Sequence, residues 1–155
     1  MIPKDDLKEK LRELISPARF NHSLRVMELA RQLAIQFGAD PKKAAIAGLI
    51  HDCARDLDLE VQLKKAHKAG ILLDEIQRRE KVLIHGPLGA VMAKKLFGIA
   101  DKDILRAIRI HTTGDVAMTP LDQIIFLADM IEPGRNFPGV EELRIKDRED
   151  LDKAV

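Results

Sequence analysis

The sequence predicts an all-α fold arranged as a helical bundle, on three observations. Apolar positions recur at spacings of three and four, no stretch keeps the strict alternation of a half-buried strand, and the periodic segments are bounded by Ser/Asp–Pro starts and glycine stops. At 155 residues the chain has the length of one domain and can bury roughly 70% of the surface its unfolded form exposes. Residues 1–155 are therefore read as a single domain, with no repeat, low-complexity segment or linker between residues 16 and 140.

A first helix is expected over Asp5–Ile15. Ser16 then Pro17 supplies an N-cap and a proline at the first helical position, where a missing N–H costs nothing, and the second helix runs to about Phe37 before Gly38. Asp40 with Pro41 repeats that signal and opens a third helix, whose apolar run from Ala44 to Ile50 ends in His51 and Asp52. A weaker helix follows from about Leu59 to His67, ended by Gly70. After a polar stretch, Gly86 and Pro87 are read as opening a helix to Gly98, with His85 just ahead of it. Asp101 caps another that reaches His111 and ends at TTG, and Pro120 opens the most apolar helix, LDQIIFLADMI, closed by EPG. The last stretch, EELRIKDREDLDKAV, reads as the start of a charged helix that stops abruptly, so the chain is expected to be truncated at Val155.

Composition excludes several classes of function. Apolar residues make up 46% and charged residues 33%, with Trp and Tyr absent, which is a globular balance. Lys plus Arg number 26 against 25 Asp plus Glu, so a net charge of +1 offers no bulk attraction to nucleic acid or anionic lipid, and no aromatic platform exists for RNA bases. No nucleic-acid or membrane partner is expected, and an anionic ligand must be held by local groups. The N-terminal MIPKDDLKEK has neither the basic start nor the apolar segment of a signal peptide, and the single Cys53 makes no internal disulfide, so a cytoplasmic location is expected.

Four polar residues stand where burial should penalise them. Asp129 lies inside IIFLADMI, His51 and Asp52 end an apolar run, and His22 shares a helical face with Val26, Leu29 and Leu33. An unpaired buried carboxylate costs several kcal/mol. One divalent metal, bound by neutral imidazoles and ionised carboxylates at the centre of a bundle, would offset all four costs together. Taken singly, each histidine has a simpler reading as a hydrogen-bonded core group. His85 and His111, beside predicted helix ends, can converge on the mouth of the same pocket. His67 lies among lysines and is read as surface, and Cys53 as small buried filler.

These residues resemble the H…HD…D signature of HD-domain metal-dependent phosphohydrolases, carried by His22, His51 with Asp52, and Asp129. RFNHSLRV, AGLIHDCARD, IHGPLGA, IRIHTTG and LADMIEPGRNFPGVEELR together look like the YqeK family of bacterial HD proteins, from about Ser16 onward. The resemblance implies symmetrical hydrolysis of diadenosine tetraphosphate to two ADP, with iron as the usual metal and manganese or cobalt as alternatives. Carried over by position, it implies His22, His51, Asp52 and Asp129 as metal ligands, and Arg55, His85, His111, Thr112 and Arg135 along the polyphosphate, with Arg19 a weaker candidate there. Two departures bear on the nucleotide site. The family usually has lysine where this chain has Arg55, so a point-charge contact becomes a fork. Family members also run some tens of residues further, so adenine contacts are expected to be missing from this chain.

The chemistry expected of these residues follows from phosphoanhydride hydrolysis. A metal makes water a nucleophile near neutral pH, Asp52 orients or deprotonates that water, and His111, Arg135 and Arg55 face the developing anion. A second ion, held by His85 and His111 with Asp52 bridging, stays open on sequence alone. Two other readings compete: an HD phosphohydrolase acting on a mononucleotide, a deoxynucleoside triphosphate or a cyclic dinucleotide, and a non-enzymatic scaffold with a structural metal. A homodimer is compatible with the sequence, which identifies no apolar patch to support it.

Overall fold

The computed structural model describes residues 4–155, without the side chains at positions 4, 147–149 and 153; the first three residues of the N-terminal stretch read above lie outside it. Among the described residues there is no strand, and the helices are α1 Lys4–Leu14, α2 Pro17–Phe37, α3 Pro41–Ile50, α4 Leu59–Lys68, α5 Glu75–Arg79, α6 Lys81–Phe97, α7 Lys102–Ile110, α8 Pro120–Ile131, α9 Val140–Glu149 and α10 Leu151–Ala154. None of them is long and apolar enough to cross a membrane.

The helix starts form for the reasons the sequence suggests. The Ser16 hydroxyl accepts from the Arg19 N–H at 3.2 Å, Asp40 from the N–H groups of Lys42 and Lys43, and Asp101 from those of Asp103 and Ile104. Thr119 and Asp122 cap α8 reciprocally, each side chain accepting from the other's backbone N–H. Glycine in the left-handed region at Gly38 and Gly98 closes α2 and α6, a conformation that costs other residues far more.

The core lies where α2, α3, α6, α7 and α8 pack on one another, with α4 and α5 against α6 and with α9 and α10 on the α8 side. Val26, Leu49, Ile84, Leu88, Ile108 and Ile124 are fully buried there. α8 is buried nearly all round, as its composition requires.

Three expectations are corrected. Gly86 and Pro87 do not open a helix: α6 begins at Lys81, and Pro87 sits inside it. Its ring removes the bond to the Leu83 carbonyl, which a tightly packed helix tolerates. Gly86 is instead a crossing point, since a Cβ there would stand 2.6 Å from the Arg109 carbonyl oxygen of α7. His85 is therefore a buried helical residue, not one ahead of a helix start. Secondly, the polar stretch before α6 holds the short helix α5, started by a capping box between Asp74 and Gln77. Thirdly, the charged C-terminal helix is two pieces, parted at Asp150, where the backbone is extended.

Candidate metal and phosphate site

Four elements deliver the site. His22 comes from the buried face of α2, His51 is the C-cap of α3, Asp52 follows it in a turn, and Asp129 lies near the end of α8. One ligand atom from each of these four residues lies within 4.8 Å of all the others. His22 Nε2 is 2.9 Å from Asp129 Oδ1 and 3.5 Å from Asp52 Oδ2. His51 Nε2 is 3.3 Å from Asp52 Oδ2 and 3.4 Å from Asp129 Oδ1, yet it makes no hydrogen bond although wholly buried.

That orphaned nitrogen tests whether a metal fits. The Nδ1–H of His51 donates to the Gly48 carbonyl at 2.6 Å, so in the neutral ring Nε2 presents a lone pair to two carboxylates, an arrangement that repels without a cation between them. Two imidazole nitrogens and two carboxylate oxygens form a donor set suited to a divalent transition metal. The residues present fit such an ion.

Burial disfavours a charged His51, but Asp52 and Asp129 outweigh it and hold the ring well above the ordinary histidine range, so a positive charge is favoured at this point, as a proton where no metal is bound. Burial likewise works against ionised Asp52 and Asp129, and the surrounding histidines outweigh it, His51, His111 and His85 at Asp52 and His22 and His51 at Asp129, so both carboxyls lie well below the usual carboxylate range. Ionised carboxylates are thus ready to bind a cation.

The other oxygen of Asp52 faces a different pair. Oδ1 is 3.1 Å from His85 Nε2 on α6 and 3.4 Å from His111 Nε2, the C-cap of α7. The two histidine nitrogens are 3.0 Å apart, and Thr112 Oγ1 is 3.4 Å from His85 Nε2. The Nδ1–H of His111 donates to the Ile108 carbonyl at 2.7 Å, whereas the buried Nδ1 of His85 has no partner. Burial pushes the His85 pKa down, with His111 and Arg55 adding to the effect against Asp52.

Cations rim the site. Arg19 donates to Asp52 Oδ2 at 3.2 Å, and Arg135, exposed on the turn after α8, donates to the Asp129 carbonyl and to Asp129 Oδ1 at 3.0 and 3.1 Å. Among the described residues the half-buried Arg55 guanidinium makes no hydrogen bond or ion pair, although it lies near enough to His85 to disfavour its charge. A cleft of about 250 Å³ opens beside His22, lined by Arg19, Arg25, Glu132, Gly134 and Arg135. The four expected metal ligands come together with His85, His111 and Thr112, while Arg19 and Arg135 rim them and Arg55 lies near His85. His67 is exposed and apart from it, and Cys53 is a buried thiol pushed up to about 12 by burial and then by Asp52.

Three contributing residues lie inside the quoted motifs but were given no role from the sequence. Glu132 is buried and pairs with Arg25, and Arg144 of α9 donates to the carbonyls of Ile131, Glu132 and Arg135, pinning the turn that carries Arg135. Glu132 had a signal, because it ends the most apolar helix just as Asp52 follows the run before it. Arg25 is three residues from His22 on the same face of α2. Nothing local distinguishes Arg144 from its charged neighbours.

The chain matches the HD domain family over residues 19–134. It is 42% identical over 137 residues to a protein of Halalkalibacterium halodurans named "Bis(5'-nucleosyl)-tetraphosphatase, symmetrical", covering 88% of this chain and 73% of that one. A Bacillus subtilis protein of the same name is 39% identical over 145 residues, 94% of this chain and 77% of the relative. The crystal structure of a predicted HD superfamily hydrolase involved in NAD metabolism, from Clostridium acetobutylicum, superposes with a TM-score of 0.95 at 44% identity, covering 99% of this chain and 82% of that one. His22 on α2, His51 and Asp52 just past the end of α3, the half-buried Asp129 on α8, the match across residues 19–134 and these relatives agree: the chain belongs to the HD domain family, in the branch of the symmetrical bis(5'-nucleosyl)-tetraphosphatases.

Proposed function

We propose that this protein is a metal-dependent acid-anhydride hydrolase that cleaves diadenosine tetraphosphate symmetrically into two ADP in the cytoplasm. The observation that carries the proposal is the position of Asp52, whose Oδ2 joins His22, His51 and Asp129 in one donor set and whose Oδ1 faces two further histidines.

His22, His51, Asp52 and Asp129 would hold the ion, and iron is our first choice among divalent metals, ahead of manganese and cobalt. When bound, such an ion supplies Lewis-acid chemistry, polarising a phosphoryl oxygen and making water acidic enough to attack near neutral pH. Ionised Asp52 orients the attacking water and accepts its proton through Oδ1 or Oδ2. His111 has its Nδ1–H committed to the Ile108 carbonyl, so the neutral ring offers Nε2 as an acceptor. His85 Nε2, facing that acceptor and Asp52 Oδ1, then carries the hydrogen, which suits its unpartnered Nδ1. On this assignment the single Nε2–H of His85 turns from His111 to a non-bridging phosphate oxygen when substrate binds, and His111 Nε2 is then free to take from Asp52 the proton that the attacking water released. A second ion on the Asp52–His85–His111 group would require the His85 proton to move, so we favour one metal per chain.

Arg19, Arg55, Arg135 and the Thr112 hydroxyl would bind the remaining phosphate oxygens, with charge delivered from both sides of the reacting phosphorus. Among the described residues Arg55 has no side-chain partner, unlike Arg19 and Arg135, and it would meet phosphate as a bidentate fork. Product identification tests the proposal: metal-loaded protein should convert diadenosine tetraphosphate to ADP alone. AMP with ATP as products, or a preference for a mononucleotide or cyclic dinucleotide, would overturn it.

A further inference from the structure

His22 differs from the other pinned histidines in how its ring can be held. His51 and His111 are helix C-caps, and each donates Nδ1–H to the carbonyl three residues earlier, which the end of a helix leaves free. His22 lies in the sixth position of a 21-residue helix, where the preceding carbonyls are engaged in the helical ladder. Its Nδ1 therefore needs an acceptor from elsewhere in the fold.

Glu132 stands there. Its Oε2 is 3.7 Å from His22 Nδ1, and the carboxylate is only 1% exposed. On its far side it pairs with Arg25, half-exposed on α2 one turn beyond His22. The turn closes directly over this pair: a Cβ at Gly134 would stand 2.7 Å from Arg25 Nε and Nη2 and from Glu132 Oε1. Burying a carboxylate against Arg25 alone does not require it to face an imidazole nitrogen. A shift of less than 1 Å brings Nδ1–H and Oε2 to hydrogen-bond distance, within the ordinary freedom of a side chain.

We infer that Glu132 is a positioning residue that fixes the Nδ1–H tautomer and ring orientation of His22, so that Nε2 is presented as a lone pair to the metal, while Arg25 holds Glu132 in place. The inference rests on the reading of His22 as a metal ligand. Carboxylates behind metal-binding histidines have this role in general, and their loss typically costs about 10- to 100-fold in metal affinity.

The test is Co(II) affinity of the metal-free protein, measured by competition with a chelator, in four variants. Glu132→Gln should weaken binding by about 10- to 100-fold, Glu132→Asp should recover part of the loss, and Arg25→Met, which loosens the carboxylate but keeps it, should cost clearly less than Glu132→Gln. Equal losses in Glu132→Gln and Arg25→Met, or no loss in Glu132→Gln, would overturn the inference and leave the pair a structural one. His22→Ala separates the two levels: unchanged affinity there overturns the ligand assignment itself. A readout independent of variant folding is the imidazole nitrogen spectrum of the unaltered protein loaded with Zn(II). The His22 ring should carry its proton on Nδ1 like those of His51 and His111, and a proton on its Nε2 would contradict the assignment.

Discussion

The two oxygens of Asp52 look out on two differently built halves of one site. On the Oδ2 side stand His22 and His51, with Asp129 3.4 Å from the wholly buried His51 nitrogen and Arg19 at the edge. On the Oδ1 side stand His85 and His111 without a second carboxylate, and with the uncommitted Arg55 nearby. Two carboxylates with imidazole lone pairs make a place for a cation. One carboxylate with two imidazoles could also hold an ion by its geometry, and we propose that, with the Arg55 guanidinium nearby, it serves instead as a place for an anion. The contrast teaches that buried imidazoles of the same type are set apart by the charges they face, since His51 and His111 donate Nδ1–H to carbonyls alike but only His51 stands between two carboxylates.

The largest effect is expected at the residue the halves share. Asp52→Ala should remove hydrolysis by about 10⁴-fold, combining loss of a metal ligand with loss of proton transfer; steady-state turnover with matched added metal measures it. If hydrolysis is unchanged, the role of Asp52 is wrong. Next, His85→Ala should lower turnover by about 10²-fold, the usual cost of one hydrogen-bond donor to a developing anion, with metal content unaltered. Coupled loss of metal and turnover would merge the two halves into one.

How far this contrast was legible in the sequence depends on the type of signal. His22, His51, Asp52 and Asp129 are visible because each violates the apolar pattern around it. The helix starts at Pro17, Pro41 and Pro120 are local chemistry, and they form where expected. The start of α6 was not legible, because Gly86–Pro87 serves a crossing with α7 that no local rule can anticipate. Arg144 was hidden for the same reason, since it bonds to carbonyls nine to thirteen residues earlier, whereas His85 was named from the sequence and only its place inside α6 was missed. Division of the four histidines by tautomer needs their Nδ1 partners, which only the fold supplies.

Smaller perturbations sharpen the picture of the Oδ1 side. Gly86→Ala pushes α6 away from the Arg109 carbonyl, so thermal unfolding should report a loss of about 2 kcal/mol, an overpacking cost, with turnover reduced and metal retained. Arg55→Lys keeps the charge and removes the fork, and should raise KM for diadenosine tetraphosphate by roughly threefold to tenfold at similar metal content. Cys53, beneath Asp52 with its S–H toward the Gly89 carbonyl at 3.5 Å, should resist thiol reagents at pH 8 until the protein unfolds. Its raised pKa means that the folded chain holds this proton more tightly than the unfolded one. The stability linked to it is therefore full below about pH 9 and falls as pH rises toward 12, which equilibrium unfolding across that range would register.

The division at Asp52 is tested most directly by elemental analysis of the double variant His85→Ala with His111→Ala beside His51→Ala and the unaltered protein. One ion per chain should be found in the unaltered protein and retained in the double variant, and His51→Ala should lose it. Two ions in the unaltered protein, or an empty double variant, would contradict the account.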